Sequence, residues 1–394
     1  MNRRRPAGLK LISANDHLIE SADVYEQRMP QRWAARAPRI ERHDGGGQEW
    51  VFEDRVVPLW RHCAVAGMQP DEWLGPMVVS YDDIREGCYD PGSRLADMDA
   101  DNVAACVLYS SPAGIGFGGE LFAAAAKEPE LGIAAMRAWN DWYLDTWVAA
   151  APERFIPIQA TWYLDARVAA EEIYRNAERG FRGVMLRNPT DLGLPWLGDS
   201  SWDPLLRACQ ETATVISHHT ADLSHWPKIN WNRDLDTVPY GFASTIFQSG
   251  AIEAVASFVW SGLGVRFPGL KVAIAESGGT WLPHLIERLQ WCRDYSLLHR
   301  RGWPDLDRSP LDILQETFTF STLEPANAYR LTAETGFSNW TLEVDYPHME
   351  SLWPRSQEVF SAELDSADED FIEAITWKRV SELYSFPVEE AADV

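Results

Sequence analysis

Short apolar runs alternate along this chain with longer stretches in which apolar positions return every three or four residues. The runs at Leu11–Ala14, Ala104–Tyr109, Phe155–Gln159, Gly183–Leu186, Ala213–Ser217, Lys271–Ala275, Phe318–Phe320 and Thr341–Val344 read as strands buried on both faces. The stretches between them read as helices: Glu120–Ala150, Asp165–Arg179, Asp203–Thr212, Thr245–Arg266, Trp281–Leu298, Pro325–Glu334 and Gln357–Tyr384. Asp165 is placed to cap its helix, with Gly180 past the far end, and Asp203-Pro204 sets a capping residue before a first-turn proline. Eight strands alternating with helices predict an α/β fold, a closed parallel (β/α)8 barrel, as one domain over residues 1–394. A doubly wound open sheet is the alternative, but no GxGxxG follows the first strand.

Two stretches break the alternation. Residues 21–94 separate the first two strands and include the turn-rich Asp44-Gly45-Gly46-Gly47. Residues 220–243 follow the fifth strand and carry His225, Trp226, Trp231, Asn232 and Tyr240. Loops after strands project from the catalytic face of a barrel, so both are expected to wall the mouth as lid and active-site loop, or else to form a subunit interface. Gly114 to Gly119 reads as a flexible loop.

Composition narrows the partners. Acidic residues number 59 against 35 basic ones, a net charge of −24, which repels polyanions. Nucleic acid and membrane surfaces are therefore excluded as expected partners, and no run approaches a membrane span. Five scattered cysteines form no CxxC pair and fit reduced, buried thiols in a cytoplasmic protein. Tryptophan is abundant, at 19 residues. Trp139, Trp142, Trp147, Trp281 and Trp291 fall in helices and are expected to pack. Trp33, Trp50, Trp60, Trp73, Trp162, Trp226 and Trp231 fall where a lid would lie.

The chemistry is read from strand ends, which converge on one mouth in a barrel. Asn15, Asp16 and His17 end the first strand, His218 and His219 the fifth, and Glu276 the sixth. Ser321 and Thr322 end the seventh, and Asp345 and His348 the eighth. Neutral imidazoles with carboxylates suit one divalent metal ion, zinc or manganese before others. His17, His218 and Asp345 are the expected ligands, with Glu276 as a further ligand or an acid/base. His218 and His219 have opposite strand parity, so at most one faces the axis. Asn15, His219, Trp162, His225, Trp226 and His348 are candidates for the substrate pocket, with Arg61, His62 and Arg187 as further cationic groups. No GxSxG, P-loop or HExxH motif offers a competing chemistry.

The ordered pieces Ile12-Ser13-Ala14-Asn15-Asp16-His17, Arg94-Leu95-Ala96-Asp97-Met98-Asp99, Asn140-Asp141-Trp142, Phe267-Pro268-Gly269 and Asp345-Tyr346-Pro347-His348 resemble the amidohydrolase-related family. Its resembling branch includes aminocarboxymuconate-semialdehyde and resorcylate decarboxylases. The resemblance implies a metal-dependent barrel and a homodimer. It maps the fifth-strand histidine onto His218 and the eighth-strand aspartate onto Asp345. Asn15 stands where that family has an acid or histidine, and Glu276 where its decarboxylases have histidine. The loss of that histidine tilts the expected activity toward hydrolysis of a C–N or C–O bond in a small, partly apolar molecule, with metal-activated water and Asp345, Glu276 and His218 as catalytic groups. Nonoxidative decarboxylation of an aromatic or unsaturated acid is the alternative. A metal-free barrel with a binding role is a third reading.

Overall fold

The buried apolar runs do become parallel strands, in a computed structural model that describes residues 8–69, 71–112, 124–220 and 237–387. In chain order, β1 is Leu11–Leu18. β2 (Arg39–Arg42), β3 (Gln48–Phe52) and β4 (Arg55–Pro58) belong to the first insertion. β5 is Val103–Ser110, β6 Phe155–Gln159, β7 Gly183–Met185 and β8 Val215–His219. β9 is Val272–Ala275, β10 Phe318–Thr322 and β11 Trp340–Leu342. The eight strands outside the insertion form one sheet in the order β1-β5-β6-β7-β8-β9-β10-β11. The ring closes just past β11, where Asp345 N donates to Asn15 O (2.9 Å) and His17 N to Tyr346 O (2.6 Å). The fold is thus the expected (β/α)8 barrel.

The helices start where capping chemistry places them. Asp165 accepts the N–H of Arg167 at the head of Ala166–Glu178, and Pro204 sits in the first turn of Asp203–Thr212. Two boundaries move in a way that matters. Ala213 closes its helix in the left-handed conformation (φ 55°), so the next strand begins at Val215 and takes both His218 and His219 inside it. β1 likewise runs on to Leu18, which puts Asn15, Asp16 and His17 within the sheet rather than beyond it. The expected helix over 281–298 divides into Leu282–Tyr295 and Leu297–Gly302.

The first insertion folds as an antiparallel sheet, β2-β3-β4, whose Trp50 and Phe52 are fully buried. Its later turns meet the barrel mouth: Val65 N and Ala66 N donate to Pro347 O, and Met349 N to His62 O. Residues 113–123 and 221–236 lie outside the described residues, and with them the glycine-rich loop, His225, Trp226, Trp231 and Asn232. Trp139, Trp142, Trp147 and Trp281 are buried as expected, whereas Trp291 is 43% exposed. All five cysteines are free and buried. Among the described residues no helix is long and apolar enough to cross a membrane.

Candidate metal centre

Strand side chains alternate between faces, but β1 breaks that rule between Ser13 and Asp16, whose side chains meet (Oγ to Oδ1, 2.7 Å), and it delivers His17 to the mouth. On β8 the same rule pairs Ser217 with His219. Ser217 points into the barrel, where its hydroxyl meets Tyr384 Oη (3.0 Å). His219 therefore faces inward as well, and its Nε2 lies 3.3 Å from His17 Nε2 and 3.6 Å from Glu276 Oε1. His218 is on the other face. Its Nδ1 donates to Leu186 O (3.0 Å), and its ring stands edge-on to Phe258 of the outer helix Ser249–Trp260. The structure thus separates His218 from the mouth and puts His219 in the place expected of it, because His219 shares the inward face of Ser217.

Four further groups converge beside His219. Ligand-type atoms of His17, Glu276, Asp345 and His348 all lie within 4.8 Å of one another, and all four residues are buried. Asp345 Oδ1 is 3.3 Å from His17 Nε2 and 3.2 Å from His348 Nδ1. His348 Nδ1 is 3.8 Å from Glu276 Oε1. The rings of His17 and His348 stack, with centroids 3.8 Å apart.

The outward nitrogens of both rings are tied down by consecutive residues at the end of β5. His17 Nδ1 meets Ser110 O (3.1 Å), and His348 Nε2 meets Ser111 Oγ (3.2 Å). A carbonyl only accepts, so His17 carries its proton on Nδ1 and turns the Nε2 lone pair inward. That lone pair faces a carboxylate oxygen and another imidazole. Neither oxygen of Asp345 has a hydrogen-bond partner, although the residue is buried. Burial, reinforced by the adjacent His348, pushes the proton affinities of His17 and His219 well down. Burial pushes those of Glu276 and Asp345 well up, Glu276 further so by the charge of Asp345. Lone pairs and carboxylates turned on one another in a dry pocket are the environment that a divalent cation relieves. Ligand atoms around one ion at metal–nitrogen lengths near 2.1 Å stand about 3.0–3.4 Å apart, which the Asp345 contacts match. The residues present therefore fit a metal ion.

Both carboxylates sit in left-handed backbone, Glu276 at φ 52° and Asp345 at φ 57°. Non-glycine residues there cost about 1–3 kcal/mol each and persist where the surroundings hold them. Glu276 N donates to Glu343 Oε2 (3.0 Å) and Ser321 Oγ (3.1 Å), and Asp345 N to Asn15 O. Burial pushes the Glu343 carboxyl up to about 7. Asn15 is fully buried, with its side chain against the Glu343 carboxyl. Trp162 is buried just past β6. Arg61 is spent on the insertion's own turn, at Pro76 O and Glu72 O. His62 is half-buried near His348, and desolvation of its ring pushes its pKa down to about 4. Arg187 takes the Tyr163 hydroxyl on its backbone N–H and is half-buried. Ser110, Ser111 and Glu343 gave no sequence signal, since their roles depend on which neighbour each strand end meets.

The amidohydrolase family model, Amidohydro_2, matches residues 87–378, well over half of the chain. This chain belongs to the amidohydrolase family. As an amidohydrolase-family member it is an enzyme, a hydrolase or a carboxy-lyase. A curated relative, the 2-amino-3-carboxymuconate-6-semialdehyde decarboxylase of Dictyostelium discoideum, is 23% identical over 272 residues, 68% of this chain and 65% of that protein. The match thus spans just under two thirds of that relative's length. An amidohydrolase from Mycobacterium avium subsp. paratuberculosis K-10 superposes with a TM-score of 0.71 at 21% identity, covering 95% of this chain and 99% of its own. A 5-carboxyvanillate decarboxylase from Novosphingobium aromaticivorans, complexed with manganese and 4-hydroxy-3-methoxy-5-nitrobenzoic acid, superposes with a TM-score of 0.63 at 18% identity, covering 96% of each chain. The dihydroxybenzoic acid decarboxylase of Polaromonas sp. JS666, with bound manganese and 2-nitroresorcinol, gives 0.63 at 16% identity over 96% of this chain and 97% of that one.

His219→Ala is expected to weaken Mn2+ binding by about a hundredfold, whereas His218→Ala changes it no more than a few-fold. Calorimetric titration of both variants checks this. The reverse order would restore His218 to the mouth.

Proposed function

We propose that this enzyme is a metal-dependent carboxy-lyase that removes CO2 nonoxidatively from a small aromatic or unsaturated carboxylic acid. The observation that carries the reading is the single buried group of His17, Glu276, Asp345 and His348, at the mouth of a barrel matched end to end by decarboxylases that bind manganese. The hydrolase reading, first in order from the sequence, has the family name behind it. The carboxy-lyase reading has the relatives whose activity is named.

A bound divalent ion, manganese or zinc, supplies positive charge to hold a substrate carboxylate and a neighbouring oxygen. His17, Asp345 and His348 would hold it, with Glu276 and His219 beside them. The chain's own groups do the rest. When the bond between ring carbon and carboxylate breaks, the electron pair stays on carbon and CO2 leaves. Asp345, whose Oδ1 faces the pocket between the two stacked imidazoles, is placed to deliver the proton that carbon then needs. Backbone hydrogen bonds of Val65, Ala66 and His62 tie the insertion to Pro347 and Met349 beside the site. The free buried cysteines fit a reducing compartment such as the cytoplasm.

The test is a panel of hydroxybenzoates and unsaturated acids incubated with the manganese-loaded enzyme. CO2 release that stops on chelation and returns with manganese is the expected result. Hydrolysis of esters, lactones or amides in the same preparation, with no CO2 from any acid, would return the enzyme to the hydrolase reading.

A further inference from the structure

One fully buried carboxylate stands a single residue away from the imidazoles without touching them. Glu20 lies two residues past the end of β1 and has no exposed surface. There the chain leaves the barrel for the insertion, with Ile19 N bonded to Cys88 O (2.8 Å). The Glu20 side chain turns back onto the end of β5. Its Oε1 accepts the Ser110 hydroxyl (2.7 Å) and the Trp139 indole N–H (2.7 Å). Trp139 belongs to the outer helix Pro129–Trp142 and packs on Tyr143, with ring centroids 5.2 Å apart. The insertion adds the Tyr81 hydroxyl, which donates to Glu20 O. The first two barrel strands, the insertion and an outer helix thus meet at one residue.

Stability alone does not call for a carboxylate at such a junction. Burying one is costly unless donors replace its water, and a well-packed apolar side chain often holds a core equally well. Two short donors to one oxygen suit an ionised acceptor.

The bonds lead on to the imidazoles. Ser110 gives its hydroxyl to Glu20 and its carbonyl to His17 Nδ1 (3.1 Å). The N–H of the same peptide, on Ser111, donates to Leu18 O (2.7 Å), and the Ser111 hydroxyl meets His348 Nε2 (3.2 Å). Fixing the Ser110 side chain therefore fixes the peptide on which both supports depend. A neutral imidazole has one N–H, and two acceptors compete for that of His17. Ser110 O lies beside Nδ1, and Asp345 Oδ1 lies 3.3 Å from Nε2. Negative charge on the Ser110 side draws the proton to Nδ1 and leaves the Nε2 lone pair for a cation.

We propose that Glu20 is a positioning residue for the metal centre: through the Ser110 hydroxyl it fixes the peptide that orients His17, and it selects the His17 tautomer that turns a bare Nε2 inward. This role rests on the reading of His17 as a metal ligand, whatever reaction the ion serves.

Calorimetric titration of the full-length chain with Mn2+ measures the effect without a substrate. Glu20→Gln keeps the shape and loses the charge, and is expected to weaken Mn2+ binding about tenfold. Ser110→Ala is expected to weaken it by a similar factor, and adding Glu20→Gln to that variant should cost no more than about twofold further, because one path carries both effects. In metal-free protein labelled with 15N-histidine, the ring nitrogens of His17 should report the Nδ1–H tautomer in the wild type and a shift toward Nε2–H in Glu20→Gln. A Glu20 that only braced the fold would lower unfolding stability and leave the tautomer alone. Unchanged Mn2+ affinity in Glu20→Gln, fully multiplicative losses in the double variant, or an unchanged tautomer would each overturn the proposal. A wild type that binds no Mn2+ would overturn the metal centre with it. The expected affinities in an enzyme that releases no CO2 would support the role of Glu20 and overturn only the carboxy-lyase reading.

Discussion

Asp345→Asn is expected to lower turnover by about a thousandfold or more while leaving the barrel folded. The substitution keeps the shape of the side chain and the backbone bonds that hold its left-handed turn, Asp345 N to Asn15 O and His348 N to Asp345 O. What it removes is a charge and a proton. Asp345 is the one residue in contact with both stacked imidazoles, and its oxygens have no other partner. Loss of a positioned acid alone costs about 10²–10⁴ in rate, and a weakened ion adds to that. Steady-state assays with saturating manganese, together with thermal unfolding and metal content, separate the two losses. A variant that turns over at a tenth of the wild-type rate or faster would remove Asp345 from the chemistry.

Arg94→Met is expected to produce the largest loss of stability, about 3–5 kcal/mol, because it breaks a fully buried charge cluster from one side. Arg94 has no exposed surface. Its Nε donates to Gly87 O (2.8 Å), its Nη2 to His17 O, and its guanidinium lies 4.0 Å over the Tyr346 ring. Its Nη1 is 4.0 Å from Asp16 Oδ2. Burial already pushes Asp16 up to about 6, against the pull of Arg94. Methionine fills similar volume but leaves two carbonyls without donors and Asp16 without its cation. Urea unfolding checks the magnitude. Because the guanidinium grips the carbonyl of His17, the folded fraction of the variant should also bind manganese more weakly. A variant as stable as the wild type, with unchanged affinity, would show that this cluster is dispensable.

These two residues mark what could be read from the sequence. Asp345 was legible because a carboxylate after the last strand of a barrel has only the mouth to face. His17, Glu276 and His348 were legible for the same reason. The choice between His218 and His219 was not. Alternation says only that the two face opposite ways, and the contacts of the folded strand, Ser217 to Tyr384 and His218 to Leu186, fix which one faces the axis. Arg94 belongs to a recognisable motif, yet the motif says nothing of a carbonyl on another strand. The insertion's three strands were equally hidden. Only β3 carries fully buried aromatics, and β2 is almost wholly exposed, so the periodicity is faint. Ser110 and Ser111 act through a carbonyl and a hydroxyl that any strand end offers, and only the ring they meet distinguishes them.

The seam of the barrel has a consequence for how the molecule holds together. Val344 N reaches Ser13 Oγ across 331 positions, and the same seam is bridged by His17 on one side and Asp345 on the other. Contacts of such sequence separation form late in folding, after the intervening strands have been laid down. An ion gripped by both sides would act as a clasp on a closed hoop. It would have nowhere to bind until the first and last strands meet, and its release would loosen the hoop at its join. At a thousandfold excess over its dissociation constant such a clasp adds about 4 kcal/mol to stability. Metal supply would then govern the lifetime of the protein as well as its activity, with the metal-starved enzyme opening at the join between its two ends.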